Sequence, residues 1–279
     1  MSIANKVLSI KPNCPLIMGI LNVTPDSFSD GGKFNTLDSV KNQLELFQLA
    51  KVDITDIGGE STRPGASVVS LQQELDRVIP VIELAVNEFE LAVSIDTYKT
   101  PVMAEAVKMG VGMINDVNAL QEPGAKELVA SSGVLACLMH KQGEFSTMQN
   151  SPSYLNVVDE VVGFLNKRLL ECEQVGIKKS QLIVDPGFGF GKNLAHNVEL
   201  FNGLDKLKSL NCPILVGVSR KKMITELLKE VAVTTSISER MVGSVTAAML
   251  AIKKGVSIVR VHDVVETRQA LKIMQELGW

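Results

Sequence analysis

Eight short runs of aliphatic and β-branched residues recur along the chain, and segments with helical spacing separate them. The spacing is clearest from Leu155 to Cys172, where apolar residues recur every three or four positions, as on the buried face of an amphipathic helix. Strands that alternate with helices predict a parallel sheet, and eight such units favour a closed (β/α)8 TIM barrel over an open doubly wound sheet. The predicted strands are Leu16–Leu21, Asp53–Ile57, Leu91–Ile95, Gly112–Asn115, Val134–Met139, Leu182–Val184, Ile214–Val218 and Ser257–Val261, and the other predicted helices are Leu37–Ala50, Leu71–Val86, Val102–Met109, Val198–Leu210 and Val264–Leu277.

The length and composition favour one domain over residues 1–279. A single barrel of this class takes about 250 residues, and no Pro- or Ser-rich linker interrupts the alternation. Hydrophobic residues make up 46% of the chain, which is ample material for one core.

Charge and cysteine usage narrow the class of protein. The net charge of −3 argues against a nucleic-acid binder that depends on electrostatic attraction, but it allows a small anionic ligand. The four cysteines form no CxxC pair, which predicts structural thiols rather than a disulfide or a metal site. No stretch approaches the roughly 18 apolar residues of a membrane span, and residues 1–11 lack the apolar segment of a signal peptide. We therefore expect a cytoplasmic protein without a membrane partner.

Polar or ionisable side chains follow almost every predicted strand. In a (β/α)8 barrel the carboxyl ends of the strands meet at one mouth, so these side chains would share one pocket. The alternative is that polar residues merely begin loops, but this explains Asp96 and Asp185 less well, since each directly follows a run of aliphatic residues. The residues concerned are Asn22, Glu60–Thr62, Asp96, Asn115–Asp116, His140, Asp185, Ser219–Lys221 and His262.

Cationic residues follow the seventh and eighth predicted strands, where barrels of this class often bind phosphate. Arg220 and Lys221 follow one strand, while Arg260 and His262 lie at the end of the next. Because side chains alternate along a strand, Arg260 and His262 point the same way, which suits a shared anion. Arg260 lies inside a Val-Arg-Val sequence, where a charge is costly unless it has a partner.

Several long motifs follow one another along the chain in the order found in a known family. The run from Gly19 to Gly32, GILNVTPDSFSDGG, and the run from Asp56 to Gly65, DIGGESTRPG, resemble two signature segments of the dihydropteroate synthases. Further blocks match in register, namely SIDT at 94–97, IND at 114–116, DPGFGFGK at 185–192, SRK at 219–221 and RVHD at 260–263. The resemblance implies a TIM barrel with its active site at the carboxyl ends of the strands. It also implies an enzyme that condenses a dihydropterin diphosphate with p-aminobenzoate in folate biosynthesis.

The resemblance also implies a role for individual residues. The pterin would bind to Asp96, Asn115, Asp185 and Lys221, with Gly217 beside them, since carboxylates accept from pterin N–H groups while Asn and Lys satisfy its acceptors. Asn22 would bind the diphosphate through Mg²⁺, and the other implied contacts are Thr62, Arg260 and His262 for the diphosphate and Phe28, Arg63, Pro64, Phe190 and Lys221 for p-aminobenzoate.

An arylamine is a weak nucleophile, so the economical route is a transition state with advanced C–O cleavage. Asp96 and Asp185 would stabilise the developing pterin cation, while Mg²⁺, Arg260 and His262 would stabilise the departing diphosphate. Lys221 completes the expected catalytic set. The family further implies a homodimer and a sulfonamide target, and the apolar segment Val242–Ala251 is compatible with either a dimer contact or the core.

The chain departs from the family pattern at two positions. Lys222 stands where family members commonly carry Ser, and Lys141 stands where Met is usual. Lys222 would reach the p-aminobenzoate carboxylate or point into solvent. Two rival functions also stay open: a methyltransferase domain that binds methyltetrahydrofolate, and a non-catalytic paralogue that binds pterins. The cations Arg260 and His262 and the loop 22–32 favour the synthase over the methyltransferase, which has no diphosphate to hold.

Overall fold

The structure, a computed structural model, describes residues 2–10, 14–24, 36–61, 69–145, 147–230 and 238–278. Within these residues eight parallel strands pair in the order β6-β5-β4-β3-β2-β1-β8-β7. A parallel bridge between Val184 and Ile214 joins the two outer strands and closes the barrel. The strands are β1 (Leu16–Asn22), β2 (Ile54–Gly58), β3 (Val93–Asp96), β4 (Met113–Asp116), β5 (Leu135–Met139), β6 (Leu182–Asp185), β7 (Leu215–Val216) and β8 (Ile258–Val261).

Helices surround the barrel, and one short helix packs against the inner core. That helix, α1, buries Ile3 and Val7 against inward-facing strand residues such as Leu16. The helices are α1 (Ile3–Leu8), α2 (Thr36–Leu49), α3 (Leu71–Asn87), α4 (Thr100–Lys108), α5 (Ala125–Ser132), α6 (Val157–Gln174), α7 (Leu194–Asn202), α8 (Lys222–Leu227), α9 (Met241–Lys253) and α10 (Val264–Glu276), with 3-10 segments at Lys179–Gln181, Leu204–Leu210 and Ser238–Arg240.

Two apolar clusters follow from the alternation of side chains along each strand. One cluster fills the barrel interior with residues such as Met18, Ile54 and Met113. The other lies between the strands and the helices and contains their sequence neighbours, for example Ile17 and Ile114. Every second residue of a strand therefore faces the interior. The same alternation, continued to the end of each strand, determines which polar residues enter the mouth.

The predicted TIM barrel is confirmed, and the strand boundaries agree to within two residues at each end. The predicted helix Val198–Leu210 is wrong as a single element, because α7 ends at Asn202 and a 3-10 segment begins at Leu204. Gly203 separates them. A Cβ at this position would lie 2.8 Å from Val158 Cγ2, so the chain approaches α6 where glycine has no side chain. The close approach and the low helix propensity of glycine favour a break at the same residue.

In the part of the chain that the structure describes, no helix combines the length and the apolar character needed to cross a membrane.

Candidate active site at the barrel mouth

The inner face changes from apolar to charged toward the carboxyl ends of the strands. On β2 the interior residue Ile54 is followed two positions later by Asp56, and on β8 Ile258 is followed by Arg260. The pairing register sets Asp56 opposite Ser94, and Asp96 opposite Asn115. The sequence thus builds an apolar floor below and a polar layer above it within single strands.

Arg260 lies between two carboxylates in this layer. Its Nε donates to Asp56 Oδ2 at 2.6 Å, and its Nη2 donates to Asp96 Oδ2 at 2.6 Å. Asn115 Nδ2 donates to the same Asp56 oxygen at 3.0 Å. Asp56 is fully buried, whereas the side chains of Asp96 and Arg260 keep 13% and 19% of their surface exposed. The predicted partner that Arg260 requires inside its Val-Arg-Val sequence is therefore a pair of acids.

Asp56 was not among the predicted site residues. It lies in the middle of β2 between Thr55 and Ile57, and it is the buried group that links Arg260 to Asn115. A carboxylate in the middle of a buried strand is costly unless a cation lies beside it. Arg260, a cation inside another buried strand, likewise needs a carboxylate partner. Pairing the two buried charges would have found Asp56 from sequence.

Burial and the charge of Arg260 have opposite effects on the pKa of Asp96 in this layer. Burial, reinforced by the charges of Asp56 and Asp116, outweighs the lowering effect of Arg260 and raises the pKa of Asp96 to about 7. In the described residues, one oxygen of each carboxylate, Asp56 Oδ1 and Asp96 Oδ1, is buried without a hydrogen-bond partner. Buried acceptors of this kind are normally satisfied, so the pair is suited to a ligand that presents N–H groups.

Asp185 and Lys221 place a second acid and a second cation at the mouth, and the charge of each shifts the pKa of the other. Asp185 Oδ1 accepts from Gly187 N at 2.7 Å, and burial raises the pKa of this carboxyl. Lys221 Nζ donates to Phe188 O and lies 4.6 Å from the centroid of the Phe190 ring. Burial lowers the pKa of Lys221 to about 8, although Asp185 opposes that shift.

The end of β8 joins the end of β7 through a serine. Ser219 Oγ accepts from the backbone N–H of His262 at 3.2 Å and lies 3.0 Å from His262 Nδ1. Arg220 is directed elsewhere: its Nε donates to Asp263 Oδ2 at 3.1 Å, and its backbone N–H donates to Ser244. Of the four cations predicted to cluster here, Arg220 is therefore directed away by its ion pair with Asp263.

Two other predicted mouth residues have structural contacts. Asp116 accepts from Asn118 N and Leu120 N at 2.7 Å each, and so closes the turn after β4. His140 packs edge-on against the Phe164 ring, with 5.0 Å between ring centroids, and contacts Lys192. Their strand-end positions were correctly predicted, but these contacts hold loops rather than line a pocket.

Some of the remaining predicted residues lie in the described part of the chain and others lie outside it. Gly217 lies beside Arg260, where a Cβ would stand 3.7 Å from Arg260 Cβ, and Asn22 ends β1 opposite Gly58. Lys222 begins α8, is 87% exposed and forms an ion pair with Glu226 at 3.3 Å. The residues Phe28, Thr62, Arg63 and Pro64 lie outside the described part of the chain.

Asn22 suits a metal ion that binds together with a phosphate-bearing ligand. No group of three or more His, Cys, Asp or Glu residues is placed to hold a metal ion in the described ranges. Asp56 and Asp96 each give an oxygen to Arg260. Since Mg²⁺ prefers oxygen ligands and retains waters, a neutral Asn22 amide fits Mg²⁺ only as a supplement to phosphate oxygens.

Comparison with known proteins agrees with this geometry. Residues 18–262 match the profile of a family described as pterin binding enzyme. The chain is 48% identical over 261 residues to the dihydropteroate synthase of Escherichia coli strain K12, covering 94% of this chain and 91% of that protein. It is 47% identical over 271 residues to the Haemophilus influenzae dihydropteroate synthase, covering 97% and 96% of the two chains.

Solved structures show the same similarity. The Xanthomonas albilineans dihydropteroate synthase with 4-aminobenzoic acid superposes with a TM-score of 0.87 at 47% identity, covering 94% of this chain and 93% of that one. The same enzyme in complex with 7,8-dihydropteroate gives a TM-score of 0.84 at 45% identity, with the same coverage.

Proposed function

This chain belongs to the pterin binding enzyme family, and we propose that its barrel mouth carries out the dihydropteroate synthase reaction with the residues described above. Its activity is that of a transferase in folate biosynthesis, which joins (7,8-dihydropterin-6-yl)methyl diphosphate to p-aminobenzoate and releases diphosphate. The observation that carries the residue assignment is the buried layer in which Arg260 joins Asp56 and Asp96.

The polar layer matches the chemistry of a pterin. A pterin presents N–H donors on its amide-like edge and ring nitrogens and an oxygen that accept. Asp96 and Asp185 supply acceptors, while Asn115 and Lys221 supply donors, and the four lie on one side of the barrel. One buried oxygen of Asp96 has no partner among the described residues, which supports this orientation for the pterin edge.

The diphosphate is assigned to the other side of the mouth. Asn22 at the end of β1 and His262 after β8 lie on neighbouring strands, next to Arg260. Mg²⁺ would supply charge neutralisation of the diphosphate and would be held by Asn22 together with the substrate oxygens. Thr62 completes this assignment by family resemblance. Removal of Mg²⁺ by excess chelator should abolish turnover, and turnover that persists would contradict the role of Asn22.

The charges then favour breaking the C–O bond before the amine attacks. Asp96 and Asp185 place negative charge beside the ring on which a cation develops, and they are already fixed by Arg260 and Gly187. Preorganised charges of this kind stabilise a transition state without reorganisation. His262 and Arg260 stabilise the departing oxygens, and the arylamine attacks as the neutral base, so no general base is required.

The p-aminobenzoate site is assigned to the rim of the mouth. Lys221 over the Phe190 ring supports it, because this arrangement provides an aromatic face beside a cation suited to a carboxylate. Phe28, Arg63 and Pro64 belong to this site by family resemblance. The relative from Yersinia pestis was solved with a sulfonamide drug. We accordingly propose that sulfonamides compete for the same rim in this protein.

One assay separates the three functions considered. The purified protein is incubated with the dihydropterin diphosphate, p-aminobenzoate and Mg²⁺, and dihydropteroate is measured. The synthase gives product. A pterin-binding paralogue binds the pterin in calorimetry without forming product, and a methyltransferase domain instead demethylates methyltetrahydrofolate in the presence of a corrinoid acceptor.

The assembly and location are further proposals. Val242 and Leu250 on α9 are 70% and 49% exposed, which supports a homodimer with α9 at its interface. Analytical ultracentrifugation of the parent and of Val242→Glu tests this, since the variant should shift the mass toward the monomer. We further propose a cytoplasmic location, as expected for an enzyme of folate biosynthesis, and cell fractionation tests it.

A further inference from the structure

A buried lysine fixes the loop that follows β6. Lys192 is only 2% exposed, and its ammonium group has three neighbours within hydrogen-bond distance. These are Gly187 O at 2.9 Å, Phe190 O at 3.2 Å and His140 Nδ1 at 3.0 Å. An ammonium group has three protons, so each acceptor takes one and Lys192 is fully satisfied. Such complete pairing is what makes a buried cation tolerable.

The contact with Lys192 determines the protonation of His140. Burial lowers the pKa of Lys192 to about 7, so below that pH its ammonium donates, Nδ1 of His140 accepts, and the neutral ring carries its proton on Nε2. Burial and the charge of Lys192 together lower the pKa of His140 to about 3. The ring is also held by the edge of Phe164 and by Tyr154, at centroid distances of 5.0 and 6.1 Å. His140 therefore serves as a fixed acceptor at the end of β5.

The same loop carries the contacts of the proposed pterin site. Gly187 N donates to Asp185, and Phe188 O accepts from Lys221, whose ammonium also lies over the Phe190 ring. Lys192 in turn holds the carbonyl oxygens of Gly187 and Phe190. The loop groups that contact Asp185 or Lys221 therefore belong to residues whose own carbonyl, or whose neighbour's carbonyl, is bound by Lys192.

Glycine allows this loop to lie against β5. Gly187 has φ +67°, and a Cβ there would lie 1.9 Å from His140 O, so no other residue fits without movement of the backbone. His140 therefore contacts the loop twice, through its backbone at Gly187 and through its ring at Lys192.

We propose that Lys192 and His140 are positioning residues that set the geometry of Asp185 and Lys221 for the pterin. This inference rests on the proposed function, because it assigns the pterin to Asp185 and Lys221. Neither residue touches the substrate in this scheme. They act through the backbone of residues 185–191.

The test measures binding of the dihydropterin diphosphate by calorimetry, without p-aminobenzoate, in parent and variants. Lys192→Met keeps the chain length but removes all three donors, and it should weaken binding by about tenfold or more. Since this variant could fail to fold, His140 supplies a second comparison. His140→Asn places an amide oxygen near the Nδ1 position and should bind within about threefold of the parent, whereas His140→Leu should approach Lys192→Met.

A stability control separates positioning from general weakening of the fold. Arg268→Met removes a partly exposed ion pair with Asp53, whose carboxylate also binds Ile17 at the amino end of β1. It should lower the melting temperature and leave pterin binding unchanged. Equal pterin affinity in the parent, His140→Asn and His140→Leu, measured well below their melting temperatures, would overturn the inference. A parent that binds no pterin would instead refute the proposed function.

Discussion

Replacing Asp56 by asparagine tests the buried layer beneath the proposed pterin site. Asp56 Oδ2 accepts from Arg260 Nε at 2.6 Å and from Asn115 Nδ2 at 3.0 Å. An amide oxygen can accept both bonds but carries no charge, and a charged bond contributes about 1.5–3 kcal/mol against about 0.5–1.5 for a neutral one. The new NH2 group replaces Oδ1, which is already buried without a partner in the described residues, so this exchange of one unsatisfied group for another adds little. Asp56→Asn should therefore lower the free energy of unfolding by about 2–3 kcal/mol, from the lost charge in its two bonds.

The assay is urea unfolding at pH 7.5, with Asp53→Asn as the matched control. Asp53 Oδ2 also accepts two bonds, from Ile17 N at 2.9 Å and from Arg268 Nη2 at 2.8 Å, but its side chain is 24% exposed. Solvent screens this pair, so the control should lose about 1 kcal/mol or less. The slope of the transition must stay the same for the values to be compared. Equal losses in the two variants would refute this reasoning, because it attributes the larger loss at Asp56 to burial.

Three further predictions concern catalysis. Asp185→Asn replaces an acceptor with a donor at the pterin edge, so calorimetry should show at least about tenfold weaker pterin binding, and unchanged binding would remove Asp185 from the pocket. The pH profile of kcat/KM should be bell-shaped, because activity rises as Asp96 loses its proton near pH 7 and falls as Lys221 loses its proton near pH 8. A flat profile from about pH 6 to 9 would contradict both assignments. Lys222→Ser should raise KM for p-aminobenzoate a few-fold at low salt and less at high salt if the lysine leaves Glu226 for the substrate, and parallel salt responses would exclude Lys222 from the site.

Local pattern predicted the elements well because each depends on a short stretch of sequence. The strands carry continuous aliphatic runs, and α6 carries a regular three- and four-residue spacing of apolar residues. The break in the predicted helix Val198–Leu210 could not be found in this way. It depends on how closely Gly203 approaches Val158, which is a contact between helices and not a property of either segment.

The strand-end rule predicted which residues lie near the mouth but not which way they point. It grouped Arg220 with Arg260, although Asp263 holds the first and Asp56 with Asp96 holds the second. The partner of a charge can be far away along the chain, as with Arg260 and Asp56, which are 204 positions apart. Such pairs can be recovered from sequence only by asking which buried charges have to neutralise one another, and that question identifies Asp56.

The balance of charge in the mouth bears directly on the chemistry. Asp56, Asp96 and Asp185 face Arg260 and Lys221, so the fully ionised set carries one more negative charge than positive charge. This excess negative charge stabilises a neutral pterin only a little. A pterin that is losing diphosphate becomes cationic, and the same charge stabilises it more. Interactions that strengthen only in the transition state raise the rate without tightening the ground state. Because burial keeps the pKa of Asp96 near 7, the excess charge is costly to the empty protein and is compensated when the cation forms. On this reasoning Asp185→Asn should reduce kcat as well as pterin affinity, and single-turnover measurements with saturating pterin would show the loss in the chemical step.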